Sequence, residues 1–256
     1  MTPKTVAPAA VQGYADGQVV AERRLSLPLS LGLRQTPAGV LLDMDGTMID
    51  SEPYWIAEEQ ALVASFGKIW THDDGLALVG NSLPVSAQII RERTGIPLTD
   101  DEILDRLLAG VVARTREHVP WRPGALQLLE LLRVAGIPTA LVTASYRVFA
   151  DVTMAAANGA LTVLVAGDEV TRGKPDPEPF ELAAQKLGVK PENCIAIEDS
   201  PSGLTSALAA GAETIGVPCV LPIPPRPGLS RLNSLAEIDL PLLSRIITGE
   251  VVDTVG

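Results

Sequence analysis

The sequence predicts an α/β protein, a doubly wound parallel sheet interrupted by an all-helical insertion. Three observations carry that expectation. Short apolar runs such as Val40-Leu41-Leu42 alternate with amphipathic stretches of helical length, the pattern of parallel strands covered by helices. Several runs stop at polar residues, and in open α/β sheets ligands bind at the carboxyl ends of strands. Between the first and second runs lie four helical stretches with no strand among them, which is an inserted unit rather than a crossover.

The first run, from Gly39, ends in Asp43-Met44-Asp45-Gly46-Thr47. Side chains alternate along an extended chain, so Asp43 and Asp45 point to one side. Gly46 lets the chain leave sharply, because it tolerates a positive φ. The Gly comes too early for an EF-hand loop, and no Asp-Thr-Gly or Asp-Ser-Gly of an aspartic protease is present. Met48 to Pro53 reads as a polar turn. The insertion then follows, with helices expected from Tyr54 to Phe66, after Thr71, from Leu83 to Thr94, and from the capping box Thr99-Asp100-Asp101-Glu102 to about His118.

Trp121-Arg122-Pro123-Gly124 marks the return to the sheet. A helix over 125–135 ends at Gly136. A strand over 137–142 stops at Thr143-Ala144-Ser145. A helix over 147–157 leads to a strand over 161–166. The loop that follows, to Pro179, holds Gly173-Lys174-Pro175. A helix over 180–187 leads to a strand over 194–197, which stops at Glu198-Asp199-Ser200. A helix over 203–210 and a strand over 214–217 complete the alternation. Residues 218–227 are Pro-rich and expected to be irregular, and 235–247 form a closing segment.

The whole-chain properties narrow the function. The 256 residues can bury a full core. The apolar fraction is 46% and the aromatic fraction 4%, so that core is aliphatic. A net charge of −11 with no basic run argues against nucleic-acid binding. An anionic small substrate would need a local cation and a lysine. Cys194 and Cys219 form no C-x-x-C pair, and each is expected as a core residue in a reducing, cytoplasmic compartment. His72 and His118 lie in polar stretches and are expected at the surface. Two histidines do not make a His-rich zinc site. No apolar run is long enough to span a membrane. Residues 1–36 are expected to be a flexible extension. Arg23-Arg24 there lacks the small-residue cleavage site of an export signal.

Polar groups thus gather at three strand ends: Asp43 with Asp45, Thr143, and Glu198 with Asp199, with Lys174 in the loop before the last. Each has an ordinary explanation alone, as a turn residue, a solvated charge or a helix cap. Together and in this order they resemble the motifs of the haloacid-dehalogenase-like (HAD) superfamily, over about residues 38–240. The resemblance implies a Rossmann-like core of strand order 5-4-1-2-3 made of residues 37–52 and 122–247, with a helical cap over 53–121. It implies that Asp43 attacks phosphorus and that Asp45 acts as acid and then base. It further implies that Lys174 offsets charge, and that Thr143, with Ala144, binds phosphate. Mg²⁺ would be held by Asp43, the Asp45 carbonyl, Asp199 and Glu198 as ligand or support.

Asp45 argues against a dehalogenase, which does not need the second Asp, and against phosphonate cleavage, which replaces it. The insertion after the first motif is similar to that of the β-phosphoglucomutase-like branch. A mutase of that branch has a His that aligns with Trp55 and a cap Arg absent from Gly80-Asn81-Ser82-Leu83. The expected activity is therefore hydrolysis of a small phosphorylated metabolite, a sugar phosphate by class. Mutase activity is the first alternative, and a non-catalytic phosphometabolite-binding protein the second. Tyr54, Trp55, Asn81 and Ser82 are the candidates for leaving-group contacts. Trp55 either faces the substrate or fills the cap's own core. The expected assembly is a monomer or weak homodimer with no nucleic-acid or membrane partner.

Overall fold

A computed structural model describes residues 35–255. Val40, Leu41 and Leu42 carry no group that water could solvate, and the strand they form, β1 (Gly39–Leu42), is buried throughout. Its buried backbone N–H and C=O groups require hydrogen-bonded neighbours on both edges. These are β2 (Thr139–Val142) and β4 (Cys194–Glu198), each parallel to β1, with Leu42 opposite Leu141 and Ile197. β3 (Val163–Val165) and β5 (Glu213–Gly216) flank them, and β6 (Leu229–Arg231) lies at the edge beside β5. The order is β3-β2-β1-β4-β5-β6, the expected order with one strand added. β6 was not foreseen: three residues after a Pro-rich stretch are too few to display a period.

The helices follow their capping signals. α1 (Glu52–Ala64) starts before Tyr54, because Pro53 sits within its first turn rather than ending the turn before it. α2 (His72–Leu76) and α4 (Asp100–Glu117) begin at reciprocal capping boxes, Thr71 with Asp74 and Thr99 with Glu102. α3 (Leu83–Thr94) ends at Gly95 in the left-handed conformation, with φ 62°. The remaining helices are α5 (Ala125–Ala135), α6 (Arg147–Ala156), α7 (Glu178–Leu187), α8 (Pro201–Ala209) and α9 (Leu240–Ile246). No helix among the described residues is long and apolar enough to cross a membrane. The expectations for residues 1–34 lie outside the described residues.

α4 packs on α1 and α3, and also on α6 of the sheet layer. Its buried residues Ile103, Leu104, Leu107, Leu108, Val111 and Val112 form a helical stripe. They belong to the same apolar cluster as Leu42 and Phe149. Trp55 of α1 is 9% exposed. Its ring meets Phe149 of α6 edge-on, with centroids 5.9 Å apart and planes at 83°. Trp55 therefore ties α1 to the sheet layer while sharing one buried cluster with Leu104 and Leu107 of α4. Trp55→Ala is expected to cost about 3–5 kcal/mol, the range for truncating a large buried aromatic. Denaturant unfolding measures it, and a loss under about 1 kcal/mol would show that this contact does not hold the layers together.

Candidate active site

Asp43 follows β1 directly and is 5% exposed. Its backbone N–H donates to the Ile197 carbonyl at 3.0 Å, which extends the ladder one residue and fixes the carboxylate at the carboxyl end of the central strand. The chain turns away at Gly46, φ 82°. A Cβ at Gly46 would stand 2.2 Å from Asp199 Oδ2, so the turn needs glycine for both reasons.

Lys174 reaches this point from the loop between β3 and α7. Its Nζ donates to Asp43 Oδ1 and Glu198 Oε1 at 2.7 Å each, and to the Val142 carbonyl at 2.8 Å. An ammonium has three protons, and all three are used. Glu198 Oε2 accepts from Asp199 N (2.9 Å), Ser200 N (2.8 Å) and Ser200 Oγ (2.9 Å). Both Glu198 oxygens are thus occupied, and its place is to hold Lys174 and the start of α8. Gly203 makes room, since a Cβ there would lie 1.6 Å from Glu198 Oε1. Asp199 Oδ1 accepts from the buried Thr47 hydroxyl at 3.2 Å.

Asp45 is surrounded differently. Its Oδ1 accepts from Ser51 Oγ at 2.5 Å, and its Oδ2 from Ser145 Oγ at 2.8 Å and Thr143 Oγ1 at 3.2 Å. The sequence reading gives the Thr143 hydroxyl to a phosphate oxygen. Here its proton goes to Asp45, and its oxygen accepts from Ser145 N at 2.9 Å. Ser51, Ser145 and Ser200 escaped the sequence reading, because hydroxyl residues beside turns are common. Arg122 escaped it as well. Its guanidinium donates to the Gly46 carbonyl and, at 2.9 Å, to the Pro218 carbonyl, tying the turn after β1 to the segment after β5.

Burial raises the pKa of the Asp43 carboxyl well above the ordinary carboxylate range, and Glu198 adds to the shift against the pull of Lys174. Burial also raises Asp45, opposed by its three hydroxyl donors. Asp199 is pushed up to about 7 by burial and by Glu198. Burial alone would lower Lys174, but Asp43 and Glu198 outweigh it and the net direction is up. Asp43, Glu198 and Asp199 bring carboxylate oxygens within 4.8 Å of one another, and one lysine balances one of the three charges. Asp43 Oδ2 is buried without a hydrogen-bond partner. An unsatisfied carboxylate oxygen beside a second carboxylate, all donors being oxygen, fits a hard divalent cation.

These groups form one end of a cavity of about 440 Å³ whose other end is lined by the inserted helices. Ala144, Trp55, Asn81 and Ser82 line it, as does Cys219. Cys219 is only half-buried, a correction to its expected core position: the chain after Val217 leaves the sheet and skirts the cavity. Tyr54 is not among the lining residues, and its hydroxyl donates to the His118 carbonyl at 3.2 Å. Neighbours on a helix diverge by about 100°, so Tyr54 and Trp55 do not share a face.

The model of the haloacid dehalogenase-like hydrolases matches residues 37–211. The chain belongs to this family. Hexitol phosphatase A of Escherichia coli is 34% identical over 219 residues, covering 80% of this chain and 90% of that protein. The bifunctional riboflavin kinase/FMN phosphatase of Arabidopsis thaliana is 30% identical over 195 residues, 75% of this chain. The chain spans about half of that relative's length (51%). The crystal structure of CbbY from Rhodobacter sphaeroides in complex with phosphate superposes with a TM-score of 0.70 at 27% identity, covering 78% of this chain and 96% of that one. Within the HAD hydrolases the protein is a phosphoric monoester hydrolase of the β-phosphoglucomutase-like branch.

The cavity wall gives a pH prediction. Burial raises Glu52 and Glu59 of α1 from near 4.5 to about 7. A carboxyl whose pKa is higher in the folded state binds its proton more tightly there, so its contribution is full below about 4.5 and lost as pH rises through about 7. The melting temperature of chelator-treated protein is expected to fall across that interval. The fall should be smaller in Glu52→Gln/Glu59→Gln, and an equal slope would contradict the assignment.

Proposed function

We propose that the protein is a Mg²⁺-dependent phosphatase that hydrolyses a small phosphorylated metabolite, a sugar phosphate by class, through an aspartyl-phosphate on Asp43. The observation that carries this reading is the division of labour between two carboxylates at one cavity. Asp43 is held by Lys174 through one oxygen while the other has no partner, and Asp45 is raised by burial within a cradle of hydroxyls. The first suits a nucleophile. The second suits a group that must carry a proton at one moment and accept it at the next.

In the first half-reaction the Asp43 carboxylate bonds to phosphorus and the bond to the alcohol oxygen breaks. Asp45 supplies the proton that the departing oxygen needs. In the second, Asp45 takes a proton from water as that water bonds to phosphorus, and phosphate leaves with Asp43 restored. Lys174 keeps the attacking carboxylate oriented and lowers the repulsion between it and a phosphate dianion. Asp43, the Asp45 carbonyl and Asp199 would hold Mg²⁺, with Glu198 supporting from behind. The ion supplies charge neutralisation for the transferring phosphoryl group.

Residues 37–52 and 122–247 serve as the core and 53–121 as a cap that encloses the leaving group and excludes bulk water. Trp55 stands where a mutase of this branch has its His, and the Gly80–Leu83 stretch holds no Arg for a second phosphate. A purely binding protein would gain nothing from Asp43 and Asp45 together.

Asp43→Asn is expected to lower Mg²⁺-dependent hydrolysis by on the order of 10³-fold or more, since an amide is a poor nucleophile. Steady-state assays check this, and activity within a few-fold of wild type would remove Asp43 from its role. Asp199→Ala should weaken Mg²⁺ binding in calorimetry while the protein stays folded. Unchanged affinity would show that Asp199 is not a ligand.

A further inference from the structure

We infer that Glu52 and Glu59, on the cavity face of α1, determine which leaving group is accepted: a hydroxyl-bearing alcohol that carries no second anionic group. This inference rests on the phosphatase reading and deepens it.

Glu52, Trp55 and Glu59 are spaced i, i+3, i+7 and share one face of α1. All three line the cavity. A glutamate on the buried face of a helix is costly unless something offsets it. Glu59 is 4% exposed, in a position where a leucine would pack. Trp70 Nε1 donates to its Oε2 at 2.9 Å. Its Oε1 and both oxygens of the half-buried Glu52 accept no hydrogen bond from the described side chains or backbone. Three acceptor oxygens of these cavity-lining residues are therefore without a protein donor. Trp55 lies between them, and Leu83, Leu104 and Leu107 form part of the apolar lining.

Unpaired acceptors interleaved with an aromatic edge and aliphatic walls suit a molecule with hydroxyl donors and C–H faces. They do not suit an anion. Seven carboxylates line the cavity: Asp43, Asp45, Asp50, Glu52, Glu59, Glu198 and Asp199. Lys174 is the one cation among the described lining residues, and its three protons are committed. The groups that push Glu52 up to about 7, after burial, are Glu59, Asp45, Asp50 and Asp199, all negative. A carboxylate or second phosphate on the leaving group would meet that field with no uncommitted cation among the described lining residues to receive it.

The test compares sorbitol 6-phosphate with 6-phosphogluconate, open-chain esters that differ by a terminal CH₂OH against a carboxylate. kcat/KM is measured for wild type, Glu52→Gln, Glu59→Gln and the double variant. Gln at position 59 keeps an acceptor for Trp70, and thermal melting confirms folding. Wild type is expected to prefer the hexitol ester by at least about tenfold, with the ratio falling at least about fivefold in the double variant, mainly through KM for the anionic ester. A wild-type ratio near one, or a ratio unchanged in the folded double variant, overturns the inference. Hydrolysis of p-nitrophenyl phosphate separately reports whether the protein is a phosphatase. If no ester is turned over, that reading fails. Calorimetric binding of the same two esters to wild type and the double variant then still decides the selection, by the same ratio.

Discussion

The site depends on a single buried ammonium. Lys174 Nζ is met by Asp43 Oδ1, Glu198 Oε1 and the Val142 carbonyl, and these acceptors stand at the ends of the adjacent strands β1, β4 and β2. A lysine taken out of water is expensive unless every proton has a partner and its charge a counter-charge. The parallel sheet supplies both, because its register sets the three strand ends side by side. Removing one partner would leave an uncompensated charge, a loss of about 3–5 kcal/mol in comparable buried pairs. The close approach also demands Gly46 and Gly203, where any Cβ would strike Asp199 or Glu198.

One lysine among three carboxylates leaves an excess of negative charge, and that excess shapes the chemistry. Asp43 keeps an oxygen that no protein donor reaches. Asp45, two residues on and turned to the same side, is dressed by Ser51, Thr143 and Ser145 instead of by a cation. Two carboxylates of identical chemistry thus occupy different electrostatic settings, which is how one strand end can carry a nucleophile and a proton carrier. The inserted helices close the other side of the cavity, pinned to the sheet layer where Trp55 meets Phe149.

Much of this was legible in the sequence, for physical reasons. Val40-Leu41-Leu42 could only be a strand buried on both faces, and the capping residues Thr71 and Thr99 fixed helix starts to the residue. Local patterns of this kind need no knowledge of distant partners. β6 was too short to show a period. Ser145 and Arg122 act across long stretches of chain, and Ser51 reaches back to Asp45 from within a polar turn whose composition does not single it out. Tyr54 was a candidate beside Trp55, though the helical phase that puts Glu52, Trp55 and Glu59 on one face already turns Tyr54 away. Cys219 looked like a core residue because its neighbours are apolar, but its exposure is set by where the chain leaves β5.

The central claim is that Asp43 becomes covalently phosphorylated during turnover. The most direct measurement is rapid acid quench of the Mg²⁺-loaded protein during hydrolysis of a phosphate ester, followed by borohydride reduction and peptide mapping by mass spectrometry. An acyl phosphate is reduced where a free carboxylate is not. The account predicts homoserine at position 43, dependent on substrate and absent from Asp43→Asn. Steady turnover with position 43 unmodified, or with the reduced residue elsewhere in the chain, would contradict it.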